Sequence, residues 1–183
     1  MKNIFIVCLL IGSLAQVSLA MDNRIGLSLD AKTASYRASI SDYSASANMD
    51  PMYGLGVVVK IPLRETLSLL VEGQYNSASS FTDSLGNRTN ISVYPLQVSL
   101  QMNSRSLYLG GGINYTLWTV SSGSTSFDER NGIGYQIYAG LDGLFPASLE
   151  IKYTYMAASV SAFGSTFDQA ASTISLGTKI WII

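Results

Sequence analysis

Nine ionisable side chains fall at alternate positions of segments that otherwise read as β-strands: Arg24, Asp30, Lys32, Lys60, Glu72, Asp142, Glu150, Lys152 and Lys179. Charges of both signs at this spacing offer three kinds of chemistry: mutual neutralisation as buried ion pairs, a charged lining for a narrow ion path, or proton transfer by a carboxylate pair or a Ser–Lys pair. Neutralisation fits best. Five cations meet four anions, with Gln74, Gln97, Gln101, Asn114 and Gln136 interleaved among them, and a buried charge without a partner costs several kcal/mol.

Proton transfer finds little support. The chain has no histidine, which removes the commonest general base and a mainstay of metal sites. Asp42, Asp50, Asp83, Asp128, Glu129 and Asp168 stand between strands, but no spacing singles them out and no calcium-loop pattern is present. Gly110-Gly-Gly112 lies inside a strand pattern, lacks a following Lys-Ser/Thr and opens no helix, so it is no phosphate loop. Its glycines instead make room for Tyr108 and Tyr138. The sequence thus assigns no catalytic, cofactor-binding or metal-ligating residue, and the expected protein is not an enzyme. The mature chain carries no Lys/Arg run or basic stripe, so nucleic acid is not an expected partner.

The elements that must position the nine charges are eight segments of period-two alternation, at about 24–34, 52–61, 66–76, 91–102, 105–120, 133–142, 148–158 and 172–182. In the first, Ile25, Leu27 and Leu29 alternate with Arg24, Gly26, Ser28, Asp30 and Lys32; the sixth sets Tyr135, Ile137, Ala139 and Leu141 against Gln136, Tyr138, Gly140 and Asp142. Ile91 and Val93 fall out of phase, which predicts a bulge near Pro95. Connections at 62–65, 103–104 and 144–147 are tight, whereas 35–51, 77–90, 121–132 and 159–171 read as long polar loops. Short turns at one end and long loops at the other predict an all-β, eight-stranded antiparallel up-and-down barrel crossing a membrane, with both termini on the turn side.

The N-terminus sets the compartment. Lys2, an apolar run over 4–14 and small residues ending at Ser18-Leu-Ala20 form a secretory signal peptide, residues 1–20, leaving 21–183 as the barrel domain. Cys8, the single cysteine, leaves with it, so neither disulfide nor thiol chemistry is expected. Alternation does not by itself choose between a membrane barrel and a soluble ligand carrier with its apolar face inside. The low charged fraction of 13%, the placement of strand charges on one face, and Tyr53, Tyr75, Tyr94, Tyr115, Tyr135 and Tyr155 near strand ends favour the membrane, with tyrosine girdles at two interfaces.

Three strand segments, Tyr108-Leu-Gly-Gly-Gly-Ile-Asn-Tyr115, Gly134-Tyr-Gln-Ile-Tyr-Ala-Gly-Leu141 and Leu149-Glu-Ile-Lys-Tyr-Thr-Tyr155, resemble successive strands of the outer-membrane β-barrel domain family, the small eight-stranded OmpX-like proteins of Gram-negative envelopes. The resemblance implies export through the general secretory pathway, residence in the cell outer membrane as a monomer, and contact with outer-membrane lipid and lipopolysaccharide. It also implies recognition by the barrel-assembly machinery through Ser175, Gly177, Ile180 and Ile182, although Ile182 stands where that signal usually has a terminal aromatic and Ile183 follows it. Outer-membrane barrel enzymes of known mechanism rely on an active-site histidine, which this chain lacks. The leading expectation is therefore a structural or surface-interaction protein. Its loops, especially 36–50 and 77–90, would meet a host or envelope ligand; the loop aromatics Phe81, Phe127, Phe163 and Phe167 are candidate contact points, with folding back onto the barrel rim at headgroup level the favoured reading. A narrow pore is the alternative, and a soluble ligand carrier the third reading.

Overall fold

Residues whose apolar side chains recur every second position pair most readily as strands with one buried face, and such strands dominate the molecule. The computed structural model describes residues 23–40, 43–82, 88–122, 125–144, 146–162 and 165–182; the expected signal peptide lies outside them. The strands are β1 (Arg24–Ile40), β2 (Tyr43–Arg64), β3 (Leu67–Thr82), β4 (Arg88–Ser104), β5 (Leu107–Ser122), β6 (Thr125–Leu144), β7 (Ala147–Ala162) and β8 (Ser165–Trp181). Each pairs antiparallel with its neighbour, and β1 closes on β8 to complete the barrel that the alternation predicts. Among the described residues no helix could cross a membrane, so crossing falls to the strands.

Neighbouring residues of β6 show which face is which: Ile137 is 58% exposed, Gln136 only 2%. The same division holds around the wall, with Leu27, Leu55, Leu100, Leu109, Ile151 and Leu176 pointing outward and Ser28, Glu72, Gln97, Asn114, Lys152 and Ser175 pointing into the lumen. An apolar exterior around a charged interior is stable only in lipid, which rules out the soluble-carrier arrangement.

The segments expected as long loops are mostly strand. Pairing runs out to Ile40 with Tyr43, Ser122 with Thr125, Thr82 with Arg88 and Ala162 with Ser165. Strands of 16 to 22 residues far exceed the roughly 10 that span a bilayer. Beyond the lipid the outward face no longer has to meet hydrocarbon, so the sequence loses its alternation and turns to Ser, Ala, Thr and Asn, while the backbone ladder continues without needing an apolar outer face. Among the described residues the β2–β3 ladder stops at Gly54 with Asn76 and the β6–β7 ladder at Ile133 with Ala157. The wall beyond them therefore divides into two four-stranded leaves, β7-β8-β1-β2 and β3-β4-β5-β6. Serines bridge the first seam: Tyr53 N–H donates to Ser77 Oγ (2.9 Å), and Ser79 and Ser80 donate to Asp50 (both 2.6 Å).

Two further expectations are corrected. The bulge near Pro95 lies in β3, between Asn76 and Ser79, and not in β4. On its other side β4 pairs with β5 without interruption through Pro95 and Thr116, while on the β3 side no partner is paired with Tyr94 or Pro95, where proline has no N–H to give. Ile91 and Val93 are thus in phase with the inward residues, both nearly fully buried. The tyrosines form one girdle, not two. Tyr53, Tyr75, Tyr94, Tyr115, Tyr135 and Tyr155 all stand eight to eleven residues from the turn-side end of their strands, about 20–28 Å at ~3.3 Å per residue and a tilt near 40°. This matches the height of an outer-membrane apolar band. Tyr135 stacks on Tyr155 (5.3 Å between centroids) and Tyr75 packs on Tyr94 (5.6 Å). The opposite margin is aliphatic, with Leu63, Met102, Leu107 and Ile182 exposed.

Leu100→Arg, in the middle of this band, is expected to cost about 2–4 kcal/mol in urea unfolding from phospholipid vesicles. An unchanged midpoint would mean that the band faces water.

Candidate functional site

Eight of the nine sequence-selected charges converge in the lumen, four cations and four anions. Arg24 is the exception: it is exposed at the first residue of β1 and stands outside the network. Its removal from the tally leaves the lumen formally neutral.

The central tier joins six strands, β3 to β8. Lys152 on β7 lies 3.2 Å from Glu72 of β3 and 3.4 Å from Glu150, and its Nζ donates to Gln97 Oε1 (3.3 Å). Lys179 on β8 pairs with the other oxygen of Glu150, which also accepts from the Tyr108 hydroxyl (3.1 Å). The Lys179 ammonium stands over the rings of Tyr138 (4.9 Å) and Tyr108 (5.9 Å), whose negative faces attract it. Both rings need glycines beneath them. Tyr108 is paired with Gly140 and Tyr138 with Gly110, and a Cβ on either glycine would run into the ring opposite. The two rings meet edge-on at 6.1 Å, so one reciprocal glycine–tyrosine exchange fills the width of the lumen.

On the loop side of this tier, Lys32 lies 3.4 Å from Asp30 and donates to Gln74, which in turn donates to Asp30 Oδ2 (2.7 Å). Asp30 is paired with Gly54 on one side and Gly177 on the other, and a Cβ on either glycine would collide with its side chain. On the turn side, Lys60 lies 3.4 Å from Asp142, donates to Asn103 (3.1 Å) and stands 5.6 Å from the Trp181 ring.

Apolar clusters close both ends, and sequence reasoning missed them. Val58, Leu70 and Trp181 block the turn side; Met52, Ile91, Val93, Trp118 and Met156 belong to a larger cluster on the loop side. The signal was present, because Trp118 and Trp181 share the parity of Thr116 and Lys179, but their apolar type drew them out of the polar face. Between the charges and the loop-side cluster is a cavity of about 10 Å³, lined by Lys32, Asn76, Gln97, Met52, Val93 and Met156. It has room for roughly one water.

The remaining sequence-selected residues are dispersed. Ser175 donates to the Lys152 carbonyl (3.4 Å), Gly177 underlies Asp30, and Ile180 and Ile182 are exposed to lipid. Of the inter-strand acids, Asp50 accepts the serine bonds described above. Asp42, Asp83 and Phe163 lie outside the described residues, as do the side chains of Phe81, Phe127, Asp128, Glu129, Phe167 and Asp168. Among the described residues no three His, Cys, Asp or Glu side chains gather into a metal-binding group.

A membrane-height apolar exterior around a neutral, filled polar interior defines an integral outer-membrane β-barrel. No protein-family model matches the sequence, and no curated protein does. Solved structures with this fold include Ail, the attachment invasion locus protein of Yersinia pestis, in complex with the heparin analogue sucrose octasulfate. It is 12% identical, with a TM-score of 0.59 over 87% of this chain and 99% of that one. Neisserial surface protein A is 16% identical, with a TM-score of 0.54 over 85% and 97% of the two chains. The outer membrane enzyme PagL is 13% identical, with a TM-score of 0.50 over 84% and 99%. At such identities the likeness establishes the fold, that of the small OmpX-like outer-membrane barrels, and leaves activity to be argued from this chain's own residues.

Glu150 is the hub of the central tier. Glu150→Gln, which leaves Lys179 without its carboxylate, is expected to lower stability by about 3–5 kcal/mol in urea titration of the micelle-bound barrel. Adding Lys179→Met is expected to recover part of that loss. Equal stability of wild type and Glu150→Gln would show that the tier is not held by charge pairing.

Proposed function

We propose that the protein is a non-enzymatic outer-membrane scaffold that carries four paired-strand arms beyond the lipid for contact with lipopolysaccharide, another envelope component or a host surface. The observation that carries this reading is the division of the wall above the tyrosine girdle: strand pairing persists far past the membrane, in two leaves, while the lumen below is neutral and closed at both ends. Rigid walls with variable tips are a common support for recognition. The absence of histidine and the mutual pairing of the lumen charges weigh against catalysis, and the side chains that meet across the lumen, Tyr108 with Tyr138 and Glu72 with Lys152, weigh against a pore.

In this reading residues 1–20 direct export, and Ser175, Gly177, Ile180 and Ile182 present the final strand to the assembly machinery. Gly177 then has two tasks, since Asp30 also needs it bare. The Ail structure holds a heparin analogue, a polyanion. The arms of this chain carry Arg37, Arg88 and Arg130 against Asp42, Asp50, Asp83, Asp128, Glu129 and Asp168, so they would repel such a ligand. They suit a cationic group or a cation-bridged phosphate, as on lipopolysaccharide.

A variant with arms 34–49 and 77–90 each cut to a short turn is expected to keep the unboiled, fast-migrating gel band while losing retention on lipopolysaccharide-coated or host-cell surfaces. In planar bilayers the wild type is expected to give no conductance steps. Steps that change with Glu72→Gln would establish the pore instead.

A further inference from the structure

Charges outside the lumen are sorted by end. Beyond the tyrosine girdle acids outnumber bases, as described above. At the turn side, among the described residues, the balance reverses: Arg24, Arg64 and Arg105 stand with Glu65, and all four are exposed. The three arginines sit on one arc of the rim, at the start of β1, the end of β2 and the turn joining β4 to β5. Among the described residues the rest of that rim, at Leu144, Pro146 and Ile182, carries no charged side chain.

Their surroundings place them at a lipid boundary. Leu63 (50% exposed) adjoins Arg64, and Met102 (65%) and Leu107 (61%) flank Arg105 three and two residues away; together they end the aliphatic band on this side. Six outward tyrosines stand at the other margin and a seventh, Tyr153, lies within the band against Tyr135, so among the described residues this margin has no outward tyrosine. Arg105 also holds a left-handed backbone, with φ at 50°. Asparagine or glycine would occupy such a turn at less cost, so the arginine brings a charge to the margin at a conformational expense. A guanidinium at that depth meets the phosphates of phospholipid headgroups, which it can bind through two parallel N–H···O bonds.

We propose that Arg24, Arg64 and Arg105 form a binding arc for anionic phospholipid headgroups in the turn-side leaflet, anchoring this margin as the tyrosines anchor the other. The arc depends on the membrane orientation of the barrel and not on what the arms bind. The ligand is the lipid-borne phosphodiester in a charged headgroup, of the phosphatidylglycerol class, and not free phosphate.

The test reconstitutes the barrel in bilayer discs of phosphatidylcholine, with or without phosphatidylglycerol, and reads two quantities: lipid retained on gentle extraction, by mass spectrometry, and the temperature at which the fast gel band is lost. Wild type is expected to retain phosphatidylglycerol preferentially and to melt higher in its presence. The preference should fall about fivefold for each arginine removed, equivalent to roughly 1 kcal/mol. R24Q/R64Q/R105Q should abolish it, while R37Q/R88Q/R130Q on the arms should leave it intact. Inorganic phosphate added to phosphatidylcholine discs should shift nothing. Should the triple variant fail to fold, Arg105→Asn, which suits the turn, should still lose its share. No preference in wild type, an equal preference in the turn-side variants, or a shift with inorganic phosphate alone would overturn the proposal.

Discussion

Lipid offers backbone N–H and C=O groups nothing to bond with, and every other feature of this barrel follows from that deficit. Strands satisfy it only by pairing on both sides, so the sheet must close, and β1 against β8 supplies the last ladder. Closure forces side chains at alternate positions to face either hydrocarbon or a lumen too narrow for bulk water. Apolar residues take the first environment. Everything polar in the spanning segments is driven into the second, where it must find partners within reach.

The composition of the lumen is the consequence. Four lysines and four carboxylates cancel, and Tyr108 with Tyr138 spans the space that two glycines vacate. Lys179 is held both by a carboxylate and by two ring faces. Among the described residues, inward apolar side chains gather into two clusters, one holding Trp181 toward the turn side and one holding Trp118 toward the loop side. The interior thus behaves as the core of a folded protein built from polar parts, and its charges read as structural groups before they read as a site. What the fold leaves free for interaction lies at the two ends, acidic arms at one and an arginine arc at the other.

Much of this was legible in the residues. The period of two gave the strand count, their order, the identity of the lipid face and eight of the nine lumen charges. It failed where the environment ceases to be two-sided. Past the girdle, segments such as 35–40 need no apolar outward face and lose the strict alternation, yet the ladder continues. At the lumen ends Ile91, Val93 and Trp118 are apolar and inward, so a rule equating apolar with lipid put Ile91 and Val93 out of phase. Arg24 kept the right parity but sits one turn-side step too far out to be enclosed. Asp30 with Lys32 and Glu150 with Lys152 are two apart on one strand, but the pairs that join strands distant in sequence, such as Glu72 with Lys152, were not readable, because their approach depends on barrel stagger.

All of this requires that the polar face point inward and the apolar face meet hydrocarbon. The most direct measurement is collision accessibility of nitroxide labels placed one at a time along Tyr135, Gln136, Ile137, Tyr138 and Ala139 in a lipid bilayer. Oxygen accessibility is expected to alternate, high at 135, 137 and 139 and low at 136 and 138. A reversed phase, or no alternation with uniform access to a water-soluble quencher, would contradict the account.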